Sequence, residues 1–339
     1  MPWPGISVAC SRALDDRMIR SSASTRIEAA RPLEDEKQAM AEGSPRMVLI
    51  TGASSGIGAA LARELATKGD HLILVARRVD RLDRVVREVR ELGGSALPLP
   101  QDLADPDSPE RIIEQAIAHL GRLDALINNA GIGLPEYFGQ SEPAHLRKQL
   151  AVNFTAPLVL TRFALPHLIA SKGPIVNIGS AIVEVANPML GAYGATKAGL
   201  AYWTDALRRE LAVRGVRVCL VELGPVDTEF FEAVGRLGEE SGSQIHYAPP
   251  GSIYNAMRDR PPAFLSATVE ETSRRIARLL DAPRPRLAVR RRVVWPVRLL
   301  GAALRMAPGL TDLAIAAMIR RIDRERSANP SAFGTMKGD

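Results

Sequence analysis

The passage from Met47 to Lys68 restricts the fold of this 339-residue chain more than any other. Met47-Val48-Leu49-Ile50 is a short apolar run that reads as a buried strand. Thr51-Gly52-Ala53-Ser54-Ser55-Gly56-Ile57-Gly58 follows, and then Leu61, Leu65 and Lys68 recur at helical spacing. Strand, glycine-rich turn and helix together open the βαβ unit that binds dinucleotides. Gly52 and Gly56 allow a tight turn and close approach of backbone to a pyrophosphate, while Gly58 lets the helix pack on the strand. The helix N-terminus adds free N–H groups and the positive end of its dipole. Gly52, Ser54, Ser55, Gly56, Ile57 and Gly58 are therefore candidate phosphate contacts. The spacing, Gly-x-x-x-Gly-x-Gly, is one residue wider in its first gap than the usual Gly-x-Gly-x-x-Gly.

The next apolar strand, His71 to Ala76, ends where an NAD-binding fold places an acid for the ribose 2′-hydroxyl. Here the residues are Ala76-Arg77-Arg78. A carboxylate would repel a 2′-phosphate, whereas a guanidinium binds it. Arg77 and Arg78 favour NADP(H); NAD(H) stays open.

Strand and helix patterns alternate along the chain, with strands expected near 47–51, 71–76, 95–99, 124–128, 174–179, 216–222 and 286–294. Helices are expected near 57–68, 80–92, 107–120, 142–171, 191–214 and 268–282. Such alternation predicts an α/β fold: a doubly wound parallel sheet of the Rossmann type with right-handed crossovers. The expected organisation is a single domain over 46–294, an N-terminal extension over 1–45 that is disordered or precedes the true start, and a basic-apolar helical extension over 295–339.

Tyr193 and Lys197, four residues apart on one helix, share a face, and Ser180 lies thirteen residues upstream. At ~4 Å and an effective dielectric of ~20, an ammonium favours a phenolate by about 4 kcal/mol. That pull would bring the Tyr193 phenol down toward neutral pH, where a general acid/base works best.

With these residues the chain resembles the short-chain dehydrogenase/reductase family, in its simple single-domain form. The resemblance spans roughly Arg46 to Pro283. It rests on the Thr51–Gly58 turn, Asp102, the run Asn128-Asn129-Ala130-Gly131, and Asn153, Ser180, Tyr193 and Lys197 at the positions of the family's catalytic tetrad. The resemblance implies that Asp102 meets the adenine and that Asn129, Ala130 and Gly131 line the cofactor. Tyr193 would deliver a proton, Ser180 would hold the carbonyl oxygen, and Lys197 would grip the nicotinamide ribose. Asn153 would hold a water that resupplies protons. Gly224, Val226 and Thr228 match the segment that meets the carboxamide and phosphates. Leu223 stands where the family usually has proline, which predicts a looser turn there because leucine does not fix φ.

The implied reaction is carbonyl reduction or alcohol oxidation with NADP(H). Ile182, Val183, Val185, Met189 and Leu190, with Phe230, Phe231 and Val234, predict an apolar substrate wall. Steroid-like, retinoid-like, fatty-acyl and aryl compounds all suit it, and Gly235–Pro262 reads as a lid. A homo-oligomer is expected through residues 142–171 and 191–214, where Ala195, Ala198 and Gly199 permit close approach. The rival reading is a non-catalytic dinucleotide-binding sensor or scaffold, which would not need Ser180, Tyr193 and Lys197 together.

Charge is uneven. The first 46 residues carry seven basic and seven acidic side chains, without the apolar core of a secretory signal. Residues 284–326 hold eleven arginines against Asp312, Asp323 and Glu325, so the chain's net charge of +6 comes from this end. Without zinc spacing or a stacking platform, that segment does not read as a nucleic-acid module. It predicts two short amphipathic helices, starting at Trp295-Pro296 and broken by Pro308-Gly309, that pack on the domain or touch a membrane surface. Uncharged runs fall short of ~18 residues, so no membrane span is expected. The histidines show no metal-ligand spacing. Cys10 and Cys219 make no disulfide framework, which fits a cytoplasmic setting.

Overall fold

The computed structural model describes residues 45–226, 266–289 and 291–306, together with Gly309, Leu313 and Ala317. Seven parallel strands lie in one sheet in the order β3-β2-β1-β4-β5-β6-β7. They are β1 (Met47–Thr51), β2 (His71–Ala76), β3 (Ser95–Pro100), β4 (Ala125–Asn128), β5 (Ile175–Ser180), β6 (Val218–Leu223) and β7 (Arg286–Val289). The helices are α1 (Gly56–Ala66), α2 (Val79–Glu91), α3 (Ser108–Leu120), α4 (Pro143–Leu150), α5 (Ala156–Ser171), α6 (Gly191–Leu211), α7 (Val269–Asp281) and α8 (Arg291–Met306). This is the doubly wound fold expected from the alternation.

The strands are apolar on both faces because both are covered. Val48 and Ile50 enter one core with Leu61 and Leu65 of α1, Leu82 of α2 and Ile276 of α7. Leu49, of opposite pleat, enters the other with Ile112 of α3, Leu160 and Leu168 of α5 and Leu207 of α6. From β1 the chain moves to β2 and β3 on one side, then returns to β4 on the other. The loops after β1 and β4 therefore diverge, leaving the crevice in which such sheets take ligands.

The last strand is shorter than the expected 286–294, and two further expectations are refined. The helix expected over 142–171 runs Pro143–Ser171, with a π turn over Ala151–Thr155 that lies between α4 and α5 and carries Asn153. By length and a mean hydropathy of 1.2, Pro143–Ser171 is also apolar enough to cross a membrane, contrary to the reading by uncharged runs. Its Ala156, Leu160, Ala164 and Leu168 face is committed to the sheet. Finally, β7 stops at Val289, because its neighbour β6 ends at the paired Leu223. Helix α8 then begins at Arg291, ahead of Trp295, and Pro296 lies inside it. A boundary at 294/295 thus falls within a helix.

Residues 1–44 and 227–265 lie outside the described residues, and with them Thr228, Phe230, Phe231, Val234 and the expected lid. Of the residues expected to form a second C-terminal helix, only Leu313 and Ala317 are described, both helical and exposed.

Candidate active site

The glycine turn is shaped by contacts that leave no room for side chains. Gly52 has φ +67°, and a Cβ there would lie 2.8 Å from Ala130 Cα. A Cβ on Gly58 would lie 2.3 Å from the Gly52 carbonyl oxygen, so the first turn of α1 sits directly on the loop. The end of β4 locks this arrangement. Backbone N–H groups of Asn129 and Ala130 each donate to Thr51 Oγ1 at 3.0 Å, and Asn129 Nδ2 donates to the Thr51 carbonyl at 2.9 Å. Asn129 thereby holds the turn, a role the sequence did not disclose, as does buried Thr51.

Arg78 folds over the turn. Its Nη2 donates to Ser55 Oγ at 2.8 Å and to Ser54 Oγ at 3.3 Å. Arg77, more exposed, points toward Asp102 with Nη1 3.7 Å from Oδ2. Asp102 Oδ1 also accepts from Ala104 N at 3.0 Å. The Arg78 guanidinium and two hydroxyls at the N-terminus of α1, with Arg77 following in sequence and turned to Asp102, suit a cradle for phosphate groups, and the glycines let backbone approach them. These residues fit a dinucleotide carrying a 2′-phosphate.

At the other end of the crevice, β5 delivers Ser180 and α6 delivers Tyr193 and Lys197. Ser180 Oγ accepts from Ile182 N at 3.2 Å, starting a tight turn over Ala181–Glu184, and is hydrogen-bonded to the Tyr193 hydroxyl. Lys197 is buried, donates from Nζ to the Ile178 carbonyl at 2.8 Å, and sits 6.0 Å from the Tyr193 ring centre. Gly131 lies against it, since a Cβ there would be 3.4 Å from Lys197 Nζ.

The electrostatics correct one expectation. Enclosure pushes the Tyr193 phenol up to about 12, with the Ser180 hydrogen bond acting in the opposite direction. Burial also pushes Lys197 down to about 8. The anticipated downward pull on the phenol is absent because Lys197 is turned to a backbone carbonyl rather than to the hydroxyl, and because both groups are desolvated.

Asn153, at 0% exposure in the π turn, is a clamp. Its Oδ1 accepts from Ile132 N at 2.8 Å, while Nδ2 donates to Ile132 O at 2.7 Å and to Thr196 Oγ1 at 3.2 Å. Both amide hydrogens are thus used, leaving one carbonyl lone pair for a further partner. Thr196 in turn donates to the Tyr193 carbonyl at 2.7 Å, linking the π turn to α6. A π turn in a helix often marks a functional site, but no sequence periodicity announces it. Deeper in the fold, Asn128 Nδ2 donates to Asn177 Oδ1 at 2.8 Å, and Asn177 Nδ2 donates to Thr204 Oγ1 at 2.9 Å, tying β4, β5 and α6 together.

Gly224 and Val226 follow β6, and Val226 bridges to Ala267. Leu223 is the last residue of β6 and pairs with Ser180 on one side and Val289 on the other. Ladder pairing holds it where a proline ring would otherwise fix φ.

This geometry matches a known group of proteins. The family model described as short chain dehydrogenase matches residues 46–236. The chain belongs to that family. Among curated relatives, 11-beta-hydroxysteroid dehydrogenase-like 3 of Arabidopsis thaliana is 42% identical over 188 residues, covering 54% of this chain and 60% of the relative. Ketoacyl reductase HetN of Nostoc sp. is 36% identical over 213 residues, covering 62% and 74%. A metagenomic short-chain oxidoreductase solved in complex with NADP is 38% identical with a TM-score of 0.51, over 53% of this chain and 82% of that one. The chain spans only about 55–60% of the length of the plant relatives it matches. Among the described residues no group of three or more His, Cys, Asp or Glu side chains could hold a metal ion. Cys219 is buried, and its thiol is pushed up by desolvation.

Proposed function

We propose that this family member is an NADP(H)-dependent oxidoreductase that interconverts a carbonyl and an alcohol on a hydrophobic small molecule, with Tyr193 as general acid/base. The observation that carries this reading is the convergence of Ser180, Tyr193 and Lys197 at the carboxyl end of the sheet, in the same crevice as the phosphate cradle. A sensor or scaffold would need the cradle alone.

Gly52, Ser54, Ser55, Gly56, Ile57 and Gly58 would hold the pyrophosphate, Arg77 and Arg78 the 2′-phosphate, and Asp102 the adenine end. Asn129, Ala130, Gly131, Lys197, Gly224 and Val226 would line the nicotinamide half. When bound, NADP(H) supplies a hydride to the carbonyl carbon or accepts one from the alcohol carbon. In reduction, Ser180 Oγ–H donates to the substrate oxygen and keeps it beside Tyr193. The Tyr193 hydroxyl then gives its proton to that oxygen as negative charge develops, yielding the alcohol. A phenol lifted to about 12 is fully protonated at neutral pH and therefore ready as the acid. Lys197 stands behind it as the buried cation that offsets the phenolate left after transfer. Asn153 fixes the loop at Ile132 against α6 and offers its remaining lone pair to a water on the proton path.

Half-buried Ile182, Val183, Val185, Met189 and Leu190 between Ser180 and Tyr193 support an apolar substrate. So do relatives named for a hydroxysteroid and a ketoacyl group. A panel of hydrophobic ketones and alcohols followed at the NADPH absorbance band tests the reading. Turnover lost in Tyr193→Phe supports it, and wild-type turnover in that variant overturns it.

Two associations complete the proposal. Ala195, Ala198 and Tyr202 lie exposed along α6 and suit helix pairing in a homo-oligomer, while Gly199 packs on Phe154 instead. Light scattering that shows only monomer at micromolar concentration counts against it. On α8, Trp295, Leu299 and Met306 are 47%, 67% and 87% exposed along one face. The arginine-rich composition of residues 284–326, apart from Arg286 and Arg298, which pair with carboxylates of the domain, complements an anionic lipid surface, at about 1 kcal/mol per basic residue near it. Sedimentation with anionic vesicles, lost in Leu299→Glu, is expected; no sedimentation at low salt removes the membrane reading.

A further inference from the structure

The face of α8 turned toward the domain grips the turn that follows Ser180. Arg298 Nε donates to Glu184 Oε1 at 2.9 Å, and Glu184 closes the turn that Ser180 opens. Arg298 Nη2 also reaches Glu222 on β6, one strand over and beside Gly179 in the ladder. Arg286 of β7 donates to the same Glu222 oxygen at 2.8 Å and reaches Asp205 of α6 with its other nitrogen. The ion pairs therefore run without a break from α6, which bears Tyr193 and Lys197, through β7, β6 and α8 to the Ser180 turn. One turn beyond Arg298, Gly301 is buried so closely that a Cβ would lie 2.0 Å from the Glu184 carbonyl oxygen. Val294, one turn before, is fully buried.

These pairs differ from surface ion pairs, which contribute little. The side chains of Arg298, Glu184 and Glu222 are 24%, 15% and 4% exposed. A planar guanidinium bound to two carboxylates on different elements fixes their spacing as well as their charge. Within the Ser180–Glu184 turn, Ser180 caps the start by accepting from Ile182 N and Ala181 is buried, so the Arg298 pair holds its far end at Glu184.

We propose that Arg298 is a positioning residue of the reaction: through Glu184, with Gly301 permitting the approach, α8 sets the Ser180 hydroxyl relative to Tyr193. Arg298 touches neither substrate nor reacting atoms in this scheme. The inference rests on the roles of Ser180 and Tyr193 given above. It makes the C-terminal helix part of the working enzyme, although the helix follows the last strand and lies outside the matched family segment.

The test uses the full chain with NADPH and the best ketone of the panel. Arg298→Gln removes the cation of the link and Glu184→Gln its charge assistance, the second without uncovering Glu222. Both are expected to lower kcat about tenfold, as a displaced hydrogen bond of roughly 1.4 kcal/mol would. KM for NADPH and its binding constant should stay within about twofold, since the cradle lies at the other end of the crevice. Arg298→Lys, which keeps one bond, should recover part of kcat. If Glu184→Gln and Arg298→Gln keep wild-type kcat while Tyr193→Phe is inactive, the positioning role is wrong and the catalytic reading stands. If kcat and NADPH affinity fall together with melting temperature in both variants, and lysine restores neither, Arg298 is only structural and the proposal fails. If Tyr193→Phe is itself active, the catalytic reading fails first.

Discussion

The two ends of the crevice are built in different ways. At the phosphate end, Gly52, Ser54, Ser55, Gly56 and Gly58 lie in one short loop, and backbone geometry does most of the work; Arg77 and Arg78 arrive just after the very next strand. At the reaction end, groups come from β5, the π turn, α6 and α8, and the Arg298–Glu184 link closes over 114 positions. A ligand's phosphate can be held by a local loop because N–H groups and a helix terminus need only the right turn. A proton transfer needs side chains within hydrogen-bond reach, and only packing of distant elements places them. The first end should therefore govern cofactor affinity and the second turnover.

The sharpest test of that division is Tyr193→Phe, which should cost roughly a hundred- to ten-thousand-fold in kcat. NADPH binding, measured by calorimetry, should be nearly unchanged. Binding lost along with rate would break the division.

The reciprocal change is Gly58→Ala. Its Cβ would enter the space of the Gly52 carbonyl at 2.3 Å, and such crowding costs about 1–3 kcal/mol. NADPH affinity should fall by ten-fold or more, read by fluorescence titration, while any protein that does bind cofactor turns over with near-normal kcat. Unaltered affinity would show that the loop can shift and that the fit is looser than its geometry implies.

Cofactor choice sharpens the same end. Ala76→Asp with Arg77→Ile removes a guanidinium and sets a carboxylate where the 2′-phosphate would sit. The ratio of NADPH to NADH affinity should drop by roughly ten- to a hundred-fold, as expected for charge-assisted bonds of about 1.5–3 kcal/mol. A constant ratio would assign the preference elsewhere.

The smallest expected effect concerns stability. Burial pushes Lys197 down to about 8 in the fold from its usual 10.5, so the folded state disfavours its charge. Between those two values the unfolded chain binds the extra proton, and this group's contribution to stability therefore rises with pH across that window. Below about 8 the penalty is fully present. Lys197→Met should abolish turnover yet unfold later in urea at pH 7 by about 1–2 kcal/mol, once the lost Ile178 hydrogen bond is set against the relieved desolvation. That gain should shrink toward pH 10. A variant less stable at every pH would mean that the hydrogen bond outweighs burial. Tyr193, raised to about 12, acts in the adjoining alkaline window: the folded state holds its proton longer, so its contribution falls as pH rises from 10.

What could be read in the sequence was what depends on neighbours along the chain. The strand, glycine turn and first helix were legible because φ at Gly52 and the contact at Gly58 are demands on single residues within a few positions. The alternating apolar runs set the strands and helices, and with them the parallel sheet, since buried strands and covering helices admit few other arrangements. Tyr193 and Lys197 could be paired because helical spacing puts them on one face. Tertiary structure decided the rest. It turned Lys197 toward Ile178 and raised the phenol, because desolvation depends on what surrounds a group. It inserted a π turn at Asn153, where Ile132 and Thr196 satisfy the amide. It also ended β7 at its partner's last residue and seated α8 on Glu184, through contacts between residues far apart in sequence, which no periodicity encodes.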